Sequence, residues 1–406
     1  MLLHTIAVFL VGVRFAQDVY LRLTDFGGGK ISIYIEPFTS EQASVDAVTR
    51  VRNIEAVIEN DLEYSLYFDI LADTAEFADA DEGVILQAHE TDGQLKTVLL
   101  DYASKEQIAV QEYHIGNELR ATAHTISDDI IEQLTGEKGI ASTKIVFSYR
   151  TSAGKELAMV DYDGYNFTRL TNNGRFNLFP AWAPDQNRIL FSAHSWDRLN
   201  IYLFDLSKRD ISIISSFRGL NFAPCWSPDG TKICLCLTKD GNAEIYLLDL
   251  KTEKLNRLTY NKAIDTSPAF SPNSREITFV SDRAGNPQIY VMDMHGGNVR
   301  RLTFHGNYNT SPAWSPRGDI IAYVSREPDN SQQVYVTDPY DFEPVRLTSK
   351  GNNEEPSFSP DGLHIVFSSN RSGTYELYTM NWDGSRLRKL SDGVTATAPD
   401  WSPISD

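Results

Sequence analysis

Thr310-Ser311-Pro312-Ala313-Trp314-Ser315-Pro316-Arg317-Gly318 is one copy of a phrase that the chain repeats six times. Its first proline recurs as Pro180, Pro224, Pro268, Pro312, Pro356 and Pro399, separated by 44 residues four times and by 43 once. Two residues after each proline stands an aromatic ring: Trp182, Trp226, Phe270, Trp314, Phe358 and Trp401. Two further on comes a second proline, at 184, 228, 272, 316, 360 and 403. A fixed period of this length marks a repeat architecture, in which each unit buries its apolar faces only by stacking on its neighbours.

Each unit holds four strand-sized pieces. The Pro-x-aromatic piece is first, and a tight turn follows it, as at Pro228-Asp229-Gly230 and Pro360-Asp361-Gly362. The second piece is apolar, as in Ile277-Thr278-Phe279-Val280-Ser281. The third reads Ile201-Tyr202, Ile245-Tyr246, Ile289-Tyr290, Val334-Tyr335 and Leu377-Tyr378, with Asp205, Asp249, Asp293, Asp338 or Asn381 closing it. The fourth is Arg169-Leu170-Thr171, Arg257-Leu258-Thr259, Arg301-Leu302-Thr303 and Arg346-Leu347-Thr348. Four antiparallel strands per repeat, set radially, make a propeller blade. The aromatic ring at one blade position reads as core packing, and the Asp after Ile-Tyr as a partner for backbone in the next turn.

The ends show how the ring closes. Residues 144–171 supply second, third and fourth strands without a first. Pro399-Asp400-Trp401-Ser402-Pro403 supplies a first strand without the others. Joined, they make a sixth blade, and closure removes the open sheet edges between first and last repeat.

Ahead of the ring the pattern changes. Ile31-Ser32-Ile33-Tyr34-Ile35 alternates like a strand. Thr39 and Gln42 have the spacing of a capping box, and Val45, Val48, Val51, Ile54, Ile58 and Leu62 then form one helical stripe. Strand-like runs follow near 66–71, 83–88, 95–101 and 107–114. A second helix is predicted from Asn117, with Leu119, Ala123, Ile126, Ile130 and Leu134 on one face and Gly136 as its stop. The expected fold is an α/β N-terminal domain (two helices on a mixed sheet) followed by an all-β six-bladed β-propeller. Gly27-Gly28-Gly29 reads as a flexible joint, because no helix follows it directly.

The formal net charge of −18 opposes nucleic-acid binding, which needs a basic face. That charge is uneven. Residues 1–143 carry 25 acidic and 9 basic side chains (−16), leaving 30 and 28 (−2) for 144–406. A solvated acidic face accounts for the first part, with a basic partner as the sharper alternative. The apolar run Ile6-Ala7-Val8-Phe9-Leu10-Val11-Gly12-Val13 is too short to span a bilayer and reads as a secretory signal core ending near Ala16, against a buried first strand. Three cysteines fit no zinc spacing. Their placement leaves open a Cys225–Cys234 bond and small buried thiols, and favours the thiols.

The blade phrase, with Ser281-Asp282-Arg283 and Ile289-Tyr290-Val291-Met292-Asp293 beside it, resembles the TolB-type propeller repeat. The likeness extends to Leu134-Thr135-Gly136-Glu137-Lys138-Gly139-Ile140, similar to the junction between that family's α/β domain and its propeller, and so covers nearly the whole chain. The resemblance implies a signal peptide at 1–16, a flexible partner-binding segment at 17–29, an α/β domain at 30–136, a linker at 137–143 and a propeller at 144–406. It further implies a periplasmic, non-enzymatic component of the Tol-Pal system, with no cofactor and no metal. In that family the propeller binds the peptidoglycan-associated lipoprotein Pal, and the mature N-terminus binds the C-terminal domain of TolA. The system supports outer-membrane integrity and constriction at cell division, meets other outer-membrane proteins, and is used by some bacteriocins for import.

Family contacts carry over position by position. The third residue before each blade proline is Asn177, Asn221, Asp265, Asn309, Asn353 and Ala396, a polar ring expected at the mouth of the channel. Matching the family's Pal contacts are Leu220, Asn221, Ala223, Asp265, Thr266, Asn309 and Thr310, with Leu220 replacing a more polar residue. The TolA segment corresponds to Asp18, Val19, Tyr20, Leu21 and Arg22. A bare cation in the channel is a lesser alternative, resting on Asp265 with Glu354 and Glu355 nearby. The competing function classes are the propeller of a peptidase and a small-molecule-binding propeller. No Gly-x-Ser-x-Gly elbow or His-Glu-x-x-His occurs, and the ring is mostly amide, which favours the scaffold.

Overall fold

Alternating apolar residues and two helical stripes build the first of two compact units, which divide between Gly139 and Ile140. The computed structural model describes residues 29–79, 83–195, 198–340, 343–391 and 393–404. The expected signal peptide and the segment Asp18 to Arg22 lie outside the described residues.

In the first unit, β1 (Ile31–Ile35), β2 (Thr39–Ser40), β3 (Phe68–Leu71), β4 (Val84–Thr91), β5 (Gln94–Asp101) and β6 (Gln107–His114) form one sheet of order β3-β1-β4-β5-β6, with β2 on β4. Strand β1 pairs in parallel with β3 and β4, while β4, β5 and β6 are antiparallel, so the sheet is mixed. Helices α1 (Val45–Tyr64) and α2 (Leu119–Thr135) share its core: Ile54 and Ile58 from one and Ile126 and Ile130 from the other join Ile33, Leu86 and Leu95 of the sheet.

Two boundaries differ from expectation. The cap of α1 is Ser44, whose Oγ accepts the Ala47 amide at 3.2 Å. Thr39 and Ser40 already belong to the sheet, opposite His89 and Glu90, and Ser40 donates its hydroxyl to the Glu90 carboxylate. Strand pairing outcompetes the capping box, and the buried stripe starts later: Val45 is 81% exposed. Helix α2 begins two residues after Asn117 and ends as expected on Gly136, whose φ of 74° a residue with Cβ adopts reluctantly.

The second unit is six four-stranded antiparallel sheets. Blades 1 to 5 have first strands Asn177–Trp182, Asn221–Trp226, Asp265–Phe270, Asn309–Trp314 and Asn353–Phe358. In blade 6, Ala396–Trp401 pairs with Lys144–Arg150, placing Ala396 opposite Tyr149 and Trp401 opposite Ile145. The ring therefore closes by joining the two ends of the repeat, as the incomplete terminal copies imply. The aromatic positions are packing residues: Trp182, Trp226, Phe270, Phe358 and Trp401 are buried, and each apolar cluster mixes residues of adjacent blades. The Asp after Ile-Tyr does hold the next turn. Asp249 accepts the Thr252 amide at 2.8 Å and Asp293 that of His295 at 2.8 Å.

Candidate functional site: the mouth of the propeller

The repeated proline has a local cause. In every first strand the pairing register breaks around it, between Leu178 and Ala181, Phe222 and Cys225, Thr266 and Ala269, Thr310 and Ala313, Glu354 and Ser357, and Thr397 and Asp400. A proline, lacking N–H, is tolerated at such a bulge. The residue before it takes positive φ in all six blades: Phe179 50°, Ala223 49°, Ser267 51°, Ser311 51°, Glu355 56° and Ala398 51°. Left-handed backbone is uncommon outside glycine, so six copies of it are a built feature of the fold. These six residues and the prolines beside them line one central cavity of about 650 Å³.

The polar ring is buried. Asn177, Asn221, Asp265, Asn309 and Asn353 are all 0% exposed. Asn221 donates from Nδ2 to the carbonyls of Leu199 at 3.1 Å and Phe217 at 2.8 Å, and its Oδ1 accepts from the Ser215 hydroxyl and the Phe217 amide. Asn309 donates to Gln288 at 2.9 Å and to the His305 carbonyl at 2.7 Å. Asp265 accepts from Arg283 at 2.9 Å and Asn261 at 2.7 Å. Asn221 and Asn309 therefore tie their own strands to the preceding blade, and all three side chains hold the loop between blades.

The exposed rim consists of their neighbours. Leu220 is 45% exposed, and Ala223, Thr266 and Thr310 are half-buried. In the same blade-to-blade connections stand exposed apolar residues that were not singled out in the sequence, Phe176, Phe217, Ile264 and Phe304, with Phe179 exposed at the bulge of the first strand of blade 1. Their signal was available, since they are large apolar side chains in segments whose turn chemistry calls for polar ones.

Two carboxylates line the cavity, Glu355 and Asp400. Burial raises the Glu355 pKa, while the Ala398 amide that it accepts lowers it. Burial likewise pushes Asp400 up to about 6, opposed by the Trp182 amide and the Ser357 hydroxyl. Asp265, the carboxylate of the expected ring, is instead paired with Arg283. The three cysteines are free thiols, with Cys225 and Cys234 facing across the first and second strands of blade 2. Among the described residues no helix is long and apolar enough to cross a membrane.

A family model described as the TolB β-propeller domain matches residues 131–405. Similar curated proteins are the Tol-Pal system proteins TolB of Nitrosomonas europaea and Dechloromonas aromatica. The first is 33% identical over 232 residues (52% of this chain, 53% of that one), the second 31% over 233 (53% of each). The chain spans about half the length of these curated relatives. The crystal structure of TolB from Acinetobacter baumannii superposes with a TM-score of 0.79 at 29% identity, covering 93% of this chain and 98% of that one. With its six blades, its closing strand and its α/β unit matched in this way, the chain belongs to the TolB β-propeller family.

Proposed function

We propose that this chain is a non-enzymatic periplasmic scaffold of the Tol-Pal system. Its propeller mouth binds the soluble domain of Pal, and Asp18, Val19, Tyr20, Leu21 and Arg22 bind the C-terminal domain of TolA. That linkage supports outer-membrane integrity and constriction at division, and gives bacteriocins a route of import. Relatives that carry the Tol-Pal name support the system.

The observation that carries the reading is the division of labour at the mouth. Leu220, Ala223, Thr266 and Thr310 offer surface, while buried Asn221, Asp265 and Asn309 fix the loops beneath them. A binding face held in place before its partner arrives loses less entropy on docking. Calorimetric titration of the full mature chain with the soluble domain of Pal tests this. Saturable binding is expected, weaker in a Leu220→Ala, Thr266→Ala, Thr310→Ala variant of unchanged thermal midpoint. Absence of binding by the unaltered chain overturns the Pal assignment.

A further inference from the structure

The outer strand of blade 1 breaks the rule that the other five obey. It runs six residues, Asp210–Ser215, whereas the others run two or three: Thr168–Arg169, Leu255–Arg257, Arg300–Arg301, Val345–Arg346 and Arg388–Lys389. Where those strands oppose Ala158, Tyr246, Tyr290, Tyr335 or Tyr378 they carry a base: Arg169, Arg257, Arg301, Arg346 or Lys389. Blade 1 has Ile213 there, opposite Tyr202.

Short length and a charged side chain are two of the devices that keep a sheet edge from recruiting another strand; a β-bulge is a third, and blade 1 has one at Ile214, past the regular stretch Asp210 to Ile213. Three of the arginines do more. Arg257, Arg301 and Arg346 each donate Nε–H to the carbonyl two residues on, at 2.6 to 2.7 Å, occupying an acceptor at the strand end. Ile213 can do neither. It is 57% exposed, and Ile211, on the same face, is 38% exposed. Among the described residues this strand pairs only with Arg198–Asp205, and from Asp210 to Ile213, before the bulge at Ile214, every second residue turns N–H and C=O outward.

We propose that this edge pairs with the same edge of a second copy of the chain. Ile211-Ser212-Ile213 is a palindrome about Ser212, and a two-fold axis there reads identically from both chains. Antiparallel pairing about Ser212 sets each Ile211 across from the other copy's Ile213, a β-branched pair of the kind that stabilises adjacent strands. Arg209 then lies beyond the other copy's Ile213, past its bulge, so the basic residues before the strand do not meet each other. Residues 144–406, with 30 acidic and 28 basic side chains, bring little net repulsion. The strand lies at the opposite edge of its sheet from Asn177–Trp182, so two mouths stay open in the pair.

Sedimentation equilibrium of the full chain up to about 0.5 mM, the range in which so small an interface assembles, tests the proposal. The expected result is a concentration-dependent dimer whose 211–215 amides exchange more slowly as concentration rises. Ile213→Arg, which restores the base of the other blades at an exposed site, should sediment as a monomer with an unchanged thermal midpoint. A wild type that stays monomeric throughout, or a dimer that Ile213→Arg leaves intact, overturns it.

Discussion

Asp400 accepts the backbone N–H of Trp182 at 2.7 Å, tying the strand that closes the ring to the first strand of blade 1. The corresponding positions elsewhere are Ala181, Cys225, Ala269, Ala313 and Ser357, so the carboxylate belongs to the closing blade alone. Ser357 donates its hydroxyl to the other oxygen at 3.1 Å, which brings blade 5 into the same junction.

The junction responds to pH. Burial raises the pKa of Asp400 from 3.8 to about 6, the Trp182 amide and Ser357 hydroxyl opposing it. The folded chain thus holds this proton more tightly than the unfolded chain. Its stabilising contribution is complete below 3.8 and is lost as pH rises through about 6. Asp400→Asn, which keeps an acceptor and no charge, should gain thermal midpoint relative to wild type as pH rises across that window. A difference that is flat with pH contradicts the assignment.

Closure itself is testable at Trp401. The indole is buried, and its N–H donates to Thr143 Oγ1 at 2.8 Å. Trp401→Ala should cost about 3–5 kcal/mol in denaturant unfolding. Truncation before Ala396 should cost more, because it removes the pairing of Ala396–Trp401 with Lys144–Arg150 and exposes that strand's edge.

Adjacent residues at the mouth should behave oppositely. Asn221→Ala strands the Leu199 and Phe217 carbonyls and should lose about 1–3 kcal/mol of stability. Leu220→Ala, at a half-exposed rim position, should change stability by about 0.5 kcal/mol or less while weakening Pal binding. Equal stability losses for the two would contradict the separation of loop-holding from contact residues.

Asp265 should tolerate amide but not deletion. Blade 5 has Asn353 at the same place, accepting from Arg371 at 2.6 Å as Asp265 accepts from Arg283. Asp265→Asn should cost about 1 kcal/mol or less, and Asp265→Ala about 1–3 kcal/mol because Arg283 loses its acceptor. Thermal unfolding of both variants checks the order.

The architecture was legible because the bulge admits a proline and the blade interface takes an aromatic, both at a fixed period. Complementary incomplete copies at the two ends made closure legible as well. The depth of the polar ring was not, since a strand-initiating Asn looks the same in sequence whether it faces a partner or ties down a loop. Thr39 and Gln42 misled because a two-residue parallel strand leaves almost no pattern. The missing base at Ile213 was visible as a gap in the Arg-Leu-Thr series, but its meaning needed the register against Tyr202.

Hydrogen exchange of the full chain, with and without saturating soluble Pal, bears most directly on the claim that the mouth is the binding face. Slowed exchange in 217–223, 261–266 and 305–310, with the outer strands of the blades unchanged, is the predicted result. Protection confined to the α/β unit or to the blade perimeter, with those three connections unaffected, would contradict it.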